Sequence, residues 1–266
     1  MKQKKYVTVR LPKGEVRVYD LGEAKLHAYQ TNDPMTDEVF ILEKNGRALI
    51  IETPCFTDNI AELTEYMNTL QSRVEAKLLS YHLAAASFLP DIPVYATKKA
   101  DEFANIGGGR ALLDNFAEAF GPAFDTSIPK VTHTLAAGLV DLAGFTLDIV
   151  PSKDAFDIEI PALGLAYIHM LGHDRHSIVA GASHADALIA QLKDLLSRGF
   201  GMILTSHHHP EDAKDARTKA DYLQSLKTLA ASSPNAAAFK QAVLQKYPAY
   251  TGENYLDMTA ALFFPA

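Results

Sequence analysis

Only one of the 266 residues is cysteine, Cys55, and none is tryptophan. A lone thiol excludes an internal disulfide and a thiolate zinc cluster. Long hydrophobic runs are also missing. The longest apolar stretch, Leu135 to Val150, is interrupted by Asp141 and Asp148 and by Gly138 and Gly144. No segment reaches the roughly 20 apolar residues of a membrane helix. Basic side chains are the minority, 25 Lys and Arg against 32 Asp and Glu, a formal charge of −7. That balance disfavours a phosphate backbone as partner. The one basic cluster, Lys2, Lys4 and Lys5, is followed by Tyr6-Val-Thr-Val-Arg10 and not by an apolar stretch, so it does not read as a secretory signal. Low-complexity tracts are absent and 48% of the residues are hydrophobic, which excludes disorder. The expectation is a soluble cytoplasmic protein that binds neither nucleic acid nor membrane.

Histidine, by contrast, is abundant, with 10 copies. Any transition metal in this chain must therefore be held by imidazole and carboxylate.

Period-two alternation marks strands at Val7–Leu11, Val16–Tyr19 and Lys25–Tyr29. Val39–Leu42 and Ala48–Ile51 flank Asn45-Gly46, a hairpin corner. The period then changes: Ile60, Leu63, Met67 and Leu70 share a helical face that Thr57 or Asp58 can cap. Strands follow at Val74–Leu79 and Val94–Ala96. A helical stretch at 99–121 is broken by Gly107-Gly108-Gly109; it follows a helical pattern, so a dinucleotide-binding loop is disfavoured. Segments 131–150 and 157–180 read as β. Ser183 with Asp186 suits a helix start, Leu188, Leu192, Leu195 and Leu196 form its stripe, and Gly199 closes it. Met202–Leu204 is a short strand running into His207-His208-His209, and from Ala213 the pattern is helical, with breaks at Pro234 and Pro248. No linker divides the chain, so the reading is one domain over 1–266, with a core at about 16–215 and a C-terminal helical extension at 216–266.

The landmark order resembles the metallo-β-lactamase superfamily, over about residues 16–215. Phe40–Pro54 looks like that family's opening hairpin, with Glu52-Thr53-Pro54 where Asp-Thr-Gly is usual. Leu78-Leu-Ser-Tyr-His82 looks like the strand that delivers its His-x-His-x-Asp-His signature. The resemblance implies an α/β, four-layer αββα sandwich with metal ligands on loops at one edge. The signature is incomplete: Ala84, Ala86 and Ser87 stand where His, Asp and His are needed, and methyl groups cannot replace lone pairs at a metal. Lys153 stands at a further His ligand position, His169 where one branch has a metal-bridging Asp, His176 at that branch's extra His, and His207 at the last ligand position. Asp157 resembles a carboxylate of the same branch.

Two functions follow from that pattern. In the first, the chain lacks the dinuclear centre and binds a small anionic ligand, with Lys153, Asp154, His82 and His176 lining the site and Lys153 filling the vacated ligand space. In the second, His82, His169 and His207 hold a single divalent metal, zinc first, for hydrolysis of an ester, thioester or amide. Asp157 and Lys153 are the candidate catalytic residues, and Asp154, Asp157 and Glu52 are candidate general bases. His173 and His176, following His169 at spacings of four and seven, read as satisfied loop residues; His208 and His209 read as exposed in an extended loop; His27, His133 and His184 read as structural; Cys55 reads as a buried thiol. A third reading is an interaction module: Tyr247, Tyr250, Tyr255, Phe263 and Phe264 give the C-terminal segment aromatic surface, expected to pack internally or in a homodimer contact.

Overall fold

The computed structural model describes residues 5–170 and 172–265; Lys2 and Lys4 of the basic cluster, and Leu171 beside the histidines, lie outside them. Among the described residues the architecture is mixed α/β, with two sheets and seven α-helices. The chain divides into two compact units, one of residues up to 169 with 206–209, the other of 170–205 with 210–266.

In the first unit, β1 (Tyr6–Arg10), β2 (Glu15–Asp20), β3 (Lys25–Gln30), β4 (Glu38–Lys44), β5 (Arg47–Ile51), β6 (Arg73–Leu78), β7 (Val94–Thr97) and β8 (His133–Leu135) form one sheet in sequence order. Pairing is antiparallel up to β5 and parallel from there on. The hairpin corner forms at Asn45-Gly46, both at positive φ, as a two-residue turn that follows strand twist requires. On one face Val16, Tyr29, Val39, Ile41, Ala48 and Ile50 pack with Ile60, Leu63 and Met67 of α1 (Thr57–Thr69). The alternate residues Leu26, Ala28, Phe40, Leu42, Leu49 and Ile51 are also buried. Strands covered on both faces need continuous apolar runs, which is why β4 and β5 do not alternate.

Helix α1 starts one residue before the expected caps. Phe56 is its N-cap, with no side-chain cap bond, and Asp58 sits in the first turn, where its charge suits the helix dipole. α2 (Lys98–Ile106) is capped by Thr97 and gives way at Gly107 to α3 (Gly108–Phe120). The glycines are needed for close approach: a Cβ at Gly107 would lie 2.9 Å from Phe103 Cα, and one at Gly109 2.9 Å from the Phe103 carbonyl oxygen. The second sheet runs, within this unit, through β9 (Gly138–Leu142), β10 (Phe145–Pro151), β11 (Phe156–Ile160) and β12 (Leu165–Ile168), all antiparallel.

β structure stops at Ile168, short of the expected 180, because the backbone after it is bonded to side chains. In the second unit Glu211 accepts from the His173 N–H, and Lys219 Nζ donates to the carbonyls of Gly172 and Arg175 at 2.8 and 2.9 Å. This unit carries α4 (Ala182–Ser197), the short buried strand β13 (Met202–Thr205), α5 (Ala213–Ser232), α6 (Ala236–Lys246) and α7 (Glu253–Phe263). Gly181, not Ser183, is the N-cap of α4, which buries Ala185, Ile189, Leu192 and Leu195. Asp212 and Asp215 make a reciprocal capping box at α5 that the sequence reading missed. The C-terminal aromatics pack on one another, Tyr222 with Tyr247 and Tyr250, and Phe239 with Phe263 and Phe264. No helix among the described residues is long and apolar enough to cross a membrane.

Burial brings the Lys219 pKa down to about 7, against the pull of Glu211 and Asp174. The unfolded chain keeps this proton to about pH 10.4 and the folded chain only to about 7, so the group adds stability as pH rises through that window. Wild type should therefore gain stability relative to Lys219→Met as pH rises, by on the order of 1 kcal/mol per unit of pKa depression. Urea unfolding of both proteins at about pH 6 and about pH 10 measures this; a difference independent of pH would refute it.

Candidate metal centre

The first unit gathers three imidazoles from distant parts of the chain. His82 follows β6, His169 follows β12, and His207 lies in the segment 206–209. Each places a ring nitrogen within 4.8 Å of the others. Their ring centroids form a near-equilateral triangle with sides of 5.0, 5.3 and 5.5 Å. A tetrahedral ion bonded to three imidazole nitrogens at about 2.0–2.1 Å puts ring centroids about 5.2 Å apart. The triangle is of the size such an ion demands.

Each ring is held by a different device. Glu52, at the end of β5, is fully buried and at positive φ. Its carboxylate accepts the backbone N–H groups of Ser80, Tyr81 and His82 at 3.2, 2.8 and 3.1 Å and the Tyr167 hydroxyl at 2.7 Å. These bonds shape the turn that presents His82. They also occupy the carboxylate, so Glu52 organises the site and is not an accessible base. Ser80 ties this turn to the second sheet, accepting from Phe156 N–H and donating to the Phe156 carbonyl. The Tyr81 ring stacks on His169 at 4.5 Å while its hydroxyl donates to Asp157 at 2.7 Å. Burial and then the charge of Asp157 push the Tyr81 phenol well up, so it stays a donor. His207 is placed by its neighbour Ser206, whose hydroxyl bonds Tyr167 at 2.6 Å and whose carbonyl accepts from Glu38 N–H at 2.8 Å.

Asp37, just before β4, is fully buried, and its Oδ1 lies 3.1 Å from His207 Nδ1 and 4.0 Å from His82 Nδ1. Burial alone would raise its pKa; the two imidazoles win and hold it below the usual carboxylate range. His169 is exposed by area yet closely surrounded by protein atoms. That loss of solvation, then repulsion from His82 and His207, lowers its basicity well below the ordinary value. It presents a neutral, lone-pair-bearing ring at neutral pH.

Of the sequence candidates, the structure brings together His82, His169 and His207, with Asp157 one tyrosine away. Lys153 does not fill the vacated ligand space: its side chain is 93% exposed, 3.8 Å from Asp154, itself nearly half exposed. An ammonium near solvent keeps its hydration, which a site lined by imidazoles does not replace. His176 is fully buried in the second unit, with Nδ1 on the Tyr222 hydroxyl. His173, also in that unit, bonds Glu211 at 2.8 Å, which raises its pKa. Ala84 is buried, Ala86 is half-buried, and Ser87 donates to Asp125. His208 and His209 are half-buried and not exposed, because His208 opens β14 (His208–Asp212) and His209 pairs with Glu38 at 3.2 Å. His27 is held between Tyr66 and Glu43, and His133 stacks on Tyr95. Cys55 is buried and its thiol pKa is pushed up, an unreactive environment.

No protein-family model and no curated protein matches the sequence. Solved structures do. A metallo-beta-lactamase family protein from Thermus thermophilus superimposes with a TM-score of 0.63 at 15% identity, covering 91% of each chain. The chain has the metallo-β-lactamase fold. A metallo-beta-lactamase from Erythrobacter litoralis, with beta-mercaptoethanol in its active site, gives 0.57 at 14% identity, over 82% of this chain and 100% of that one. The metallo-beta-lactamase FIM-1 from Pseudomonas aeruginosa in a mono-zinc form gives 0.54 at 13% identity, over 85% and 98%. Within this fold Asp37 and Tyr167 escaped the sequence reading. The signal was present: an acidic pair, Asp37-Glu38, leads directly into an apolar strand, where carboxylates are rare unless partnered.

Proposed function

We propose that this metallo-β-lactamase-fold protein is a hydrolase that uses one divalent metal ion, zinc first, held by His82, His169 and His207. The observation that carries the reading is the imidazole triangle, whose sides of 5.0 to 5.5 Å match the requirement of a tetrahedral ion. The charges around it argue the same way. The fully buried Asp37 carboxylate lies beside two of the rings, and neither of its oxygens has an aligned hydrogen bond. Buried negative charge of this kind calls for a cation. A small anionic ligand would meet repulsion there, and Lys153, the cation assigned to receive it, is in solvent.

Held by His82, His169 and His207, a divalent ion would supply Lewis-acid polarisation of a carbonyl and a bound water with a pKa of about 7, which would suit an ester, thioester or amide substrate. The chain supplies the rest. Glu52 and Ser80 keep the His82 turn rigid, the Tyr81 ring fixes the plane of His169, and Asp157 holds the Tyr81 hydroxyl proton. The ligand positions that a second ion would need carry Ala84, Ala86 and Ser87, so the reading is mononuclear. Untagged protein, stripped and titrated with zinc or cobalt, should bind about one equivalent. Ester and thioester hydrolysis should then rise with metal occupancy. Sub-stoichiometric binding in excess zinc ends this reading.

A further inference from the structure

One phenol hydroxyl joins the supports of two of the three histidines. Tyr167 Oη donates to Glu52 Oε1 at 2.7 Å and lies 2.6 Å from Ser206 Oγ. A phenol has a single proton, and a carboxylate offers only lone pairs. The Tyr167 proton therefore goes to Glu52, and the Ser206 hydroxyl donates to Tyr167. Glu52 in turn accepts the backbone N–H groups of Ser80, Tyr81 and His82. Ser206 immediately precedes His207, so hydrogen bonds run unbroken from the His207 segment to the turn that presents His82. The third ring is close by: Tyr167 is two residues before His169, and the Tyr81 ring meets both, at 6.2 and 4.5 Å. Glu52, Tyr167 and Ser206 are all fully buried, so solvent does not replace a lost bond. Asp37 also lies beside His82 and His207, but its oxygens make no aligned hydrogen bond.

We propose that Tyr167 is a positioning residue whose hydroxyl couples the His207 segment to the His82 turn and so sets the spacing of those two rings. Ser206 has a second anchor, its carbonyl accepting from Glu38 N–H at 2.8 Å, but that bond ties it to β4 and not to the turn. The hydroxyl bond makes the link to His82. This role rests on the metal reading for its purpose, while one of its readouts needs no metal. Tyr29 provides a matched control in the same unit. Its buried hydroxyl also donates to a carboxylate, Glu62 at 2.7 Å, and accepts from Asn59 Nδ2 at 2.8 Å, and both partners belong to α1.

Zinc affinity and the visible spectrum of the cobalt-loaded protein, measured for Tyr167→Phe and Tyr29→Phe, test the coupling. Tyr167→Phe should bind zinc about 10-fold more weakly, the lower end of the usual cost of losing an outer partner of a metal site. Its cobalt bands should shift, because the ligand field reports the spacing of the rings. Tyr29→Phe should change neither. Ser206→Ala cuts the same link one bond earlier, so the double variant should bind no more weakly than Tyr167→Phe alone. In metal-free, histidine-labelled protein, the ring NMR signals of His82 and His207 should both move in Tyr167→Phe and stay in place in Tyr29→Phe. His82→Gln and His207→Gln spectra assign them. A Tyr167→Phe protein that melts lower but keeps wild-type zinc affinity, cobalt bands and ring signals overturns the proposal, because that describes a merely structural tyrosine. So do equal changes in Tyr29→Phe, or additive losses in the double variant. If Tyr167→Phe does not fold, Ser206→Ala decides by the same readouts. Wild type that binds no metal removes the metal reading, and the ring signals alone then decide the coupling.

Discussion

Replacing His169 by alanine should abolish stoichiometric metal binding, lowering affinity by more than about 100-fold, beyond the 10–100-fold typical of losing an outer partner. The effect is large because His169 closes the triangle. The remaining pair, His82 and His207, with centroids 5.0 Å apart, gives two donors where a stable site needs three or four. Among the described residues no further histidine, cysteine or carboxylate joins the set within 4.8 Å. Tyr81, stacked on it at 4.5 Å, is a phenol kept protonated by burial and by Asp157. Isothermal titration with zinc, and metal content after dialysis, measure the change. His133→Ala removes an exposed imidazole stacked on Tyr95 and should leave both unchanged. A His169→Ala protein that keeps one tightly bound ion would show that His169 is no ligand. Activity should follow occupancy, so the variant should lose hydrolysis with its metal.

Glu52→Ala should cost about 3–5 kcal/mol of stability, the usual penalty for removing one partner of a buried, charge-assisted network. Three backbone N–H groups and the Tyr167 hydroxyl would lose their acceptor together. Each buried donor left unmatched costs about 1–3 kcal/mol, and the relaxed turn recovers part of the sum. The position also has positive φ, a conformation a side chain tolerates only when its contacts enforce it. Urea unfolding gives the cost, and amide exchange at Ser80, Tyr81 and His82 shows where it falls, because exchange should accelerate there first. Glu52→Gln should retain part of the acceptor and lose less. Wild-type stability in Glu52→Ala would mean that solvent satisfies these groups and that the His82 turn is not organised from β5.

The three histidines were readable in the chain because the order of strands and histidines resembles that of the metallo-β-lactamase family. A strand ending in Ser-Tyr-His and another leading into Ser-His each set a histidine at a sheet edge, and an apolar strand followed by a polar residue is a local pattern. His169 was singled out by the resemblance alone, since the period-two reading ran β from 157 to 180 and ended no strand before it. What could not be read was contact between residues far apart in sequence. Asp37 is 45 positions from His82 and 170 from His207, and nothing local marks an acid as facing imidazoles. Lys153 shows the same limit from the other side: its position in the landmark order matched a ligand, but a long, strongly hydrated side chain on a turn goes to water. The His208-His209 pair looked exposed because a histidine run carries no strand signal, while backbone pairing and the Glu38 carboxylate made it half-buried.

The landmark order shared with the family the sequence resembles singled out His82, His169 and His207, while composition and periodicity by themselves determined that this is an α/β chain with no internal disulfide and that any metal here must be bound by imidazole and carboxylate. Those are local properties, set by residue chemistry and by the periods of two and 3.6. Only the tertiary structure decided that the three rings meet in a triangle about 5 Å on a side, that the buried Asp37 carboxylate lies beside two of them, and that Lys153 does not. Strand register and burial brought the lone pairs and the buried charges together, and neither leaves a trace in the spacing of a single sequence.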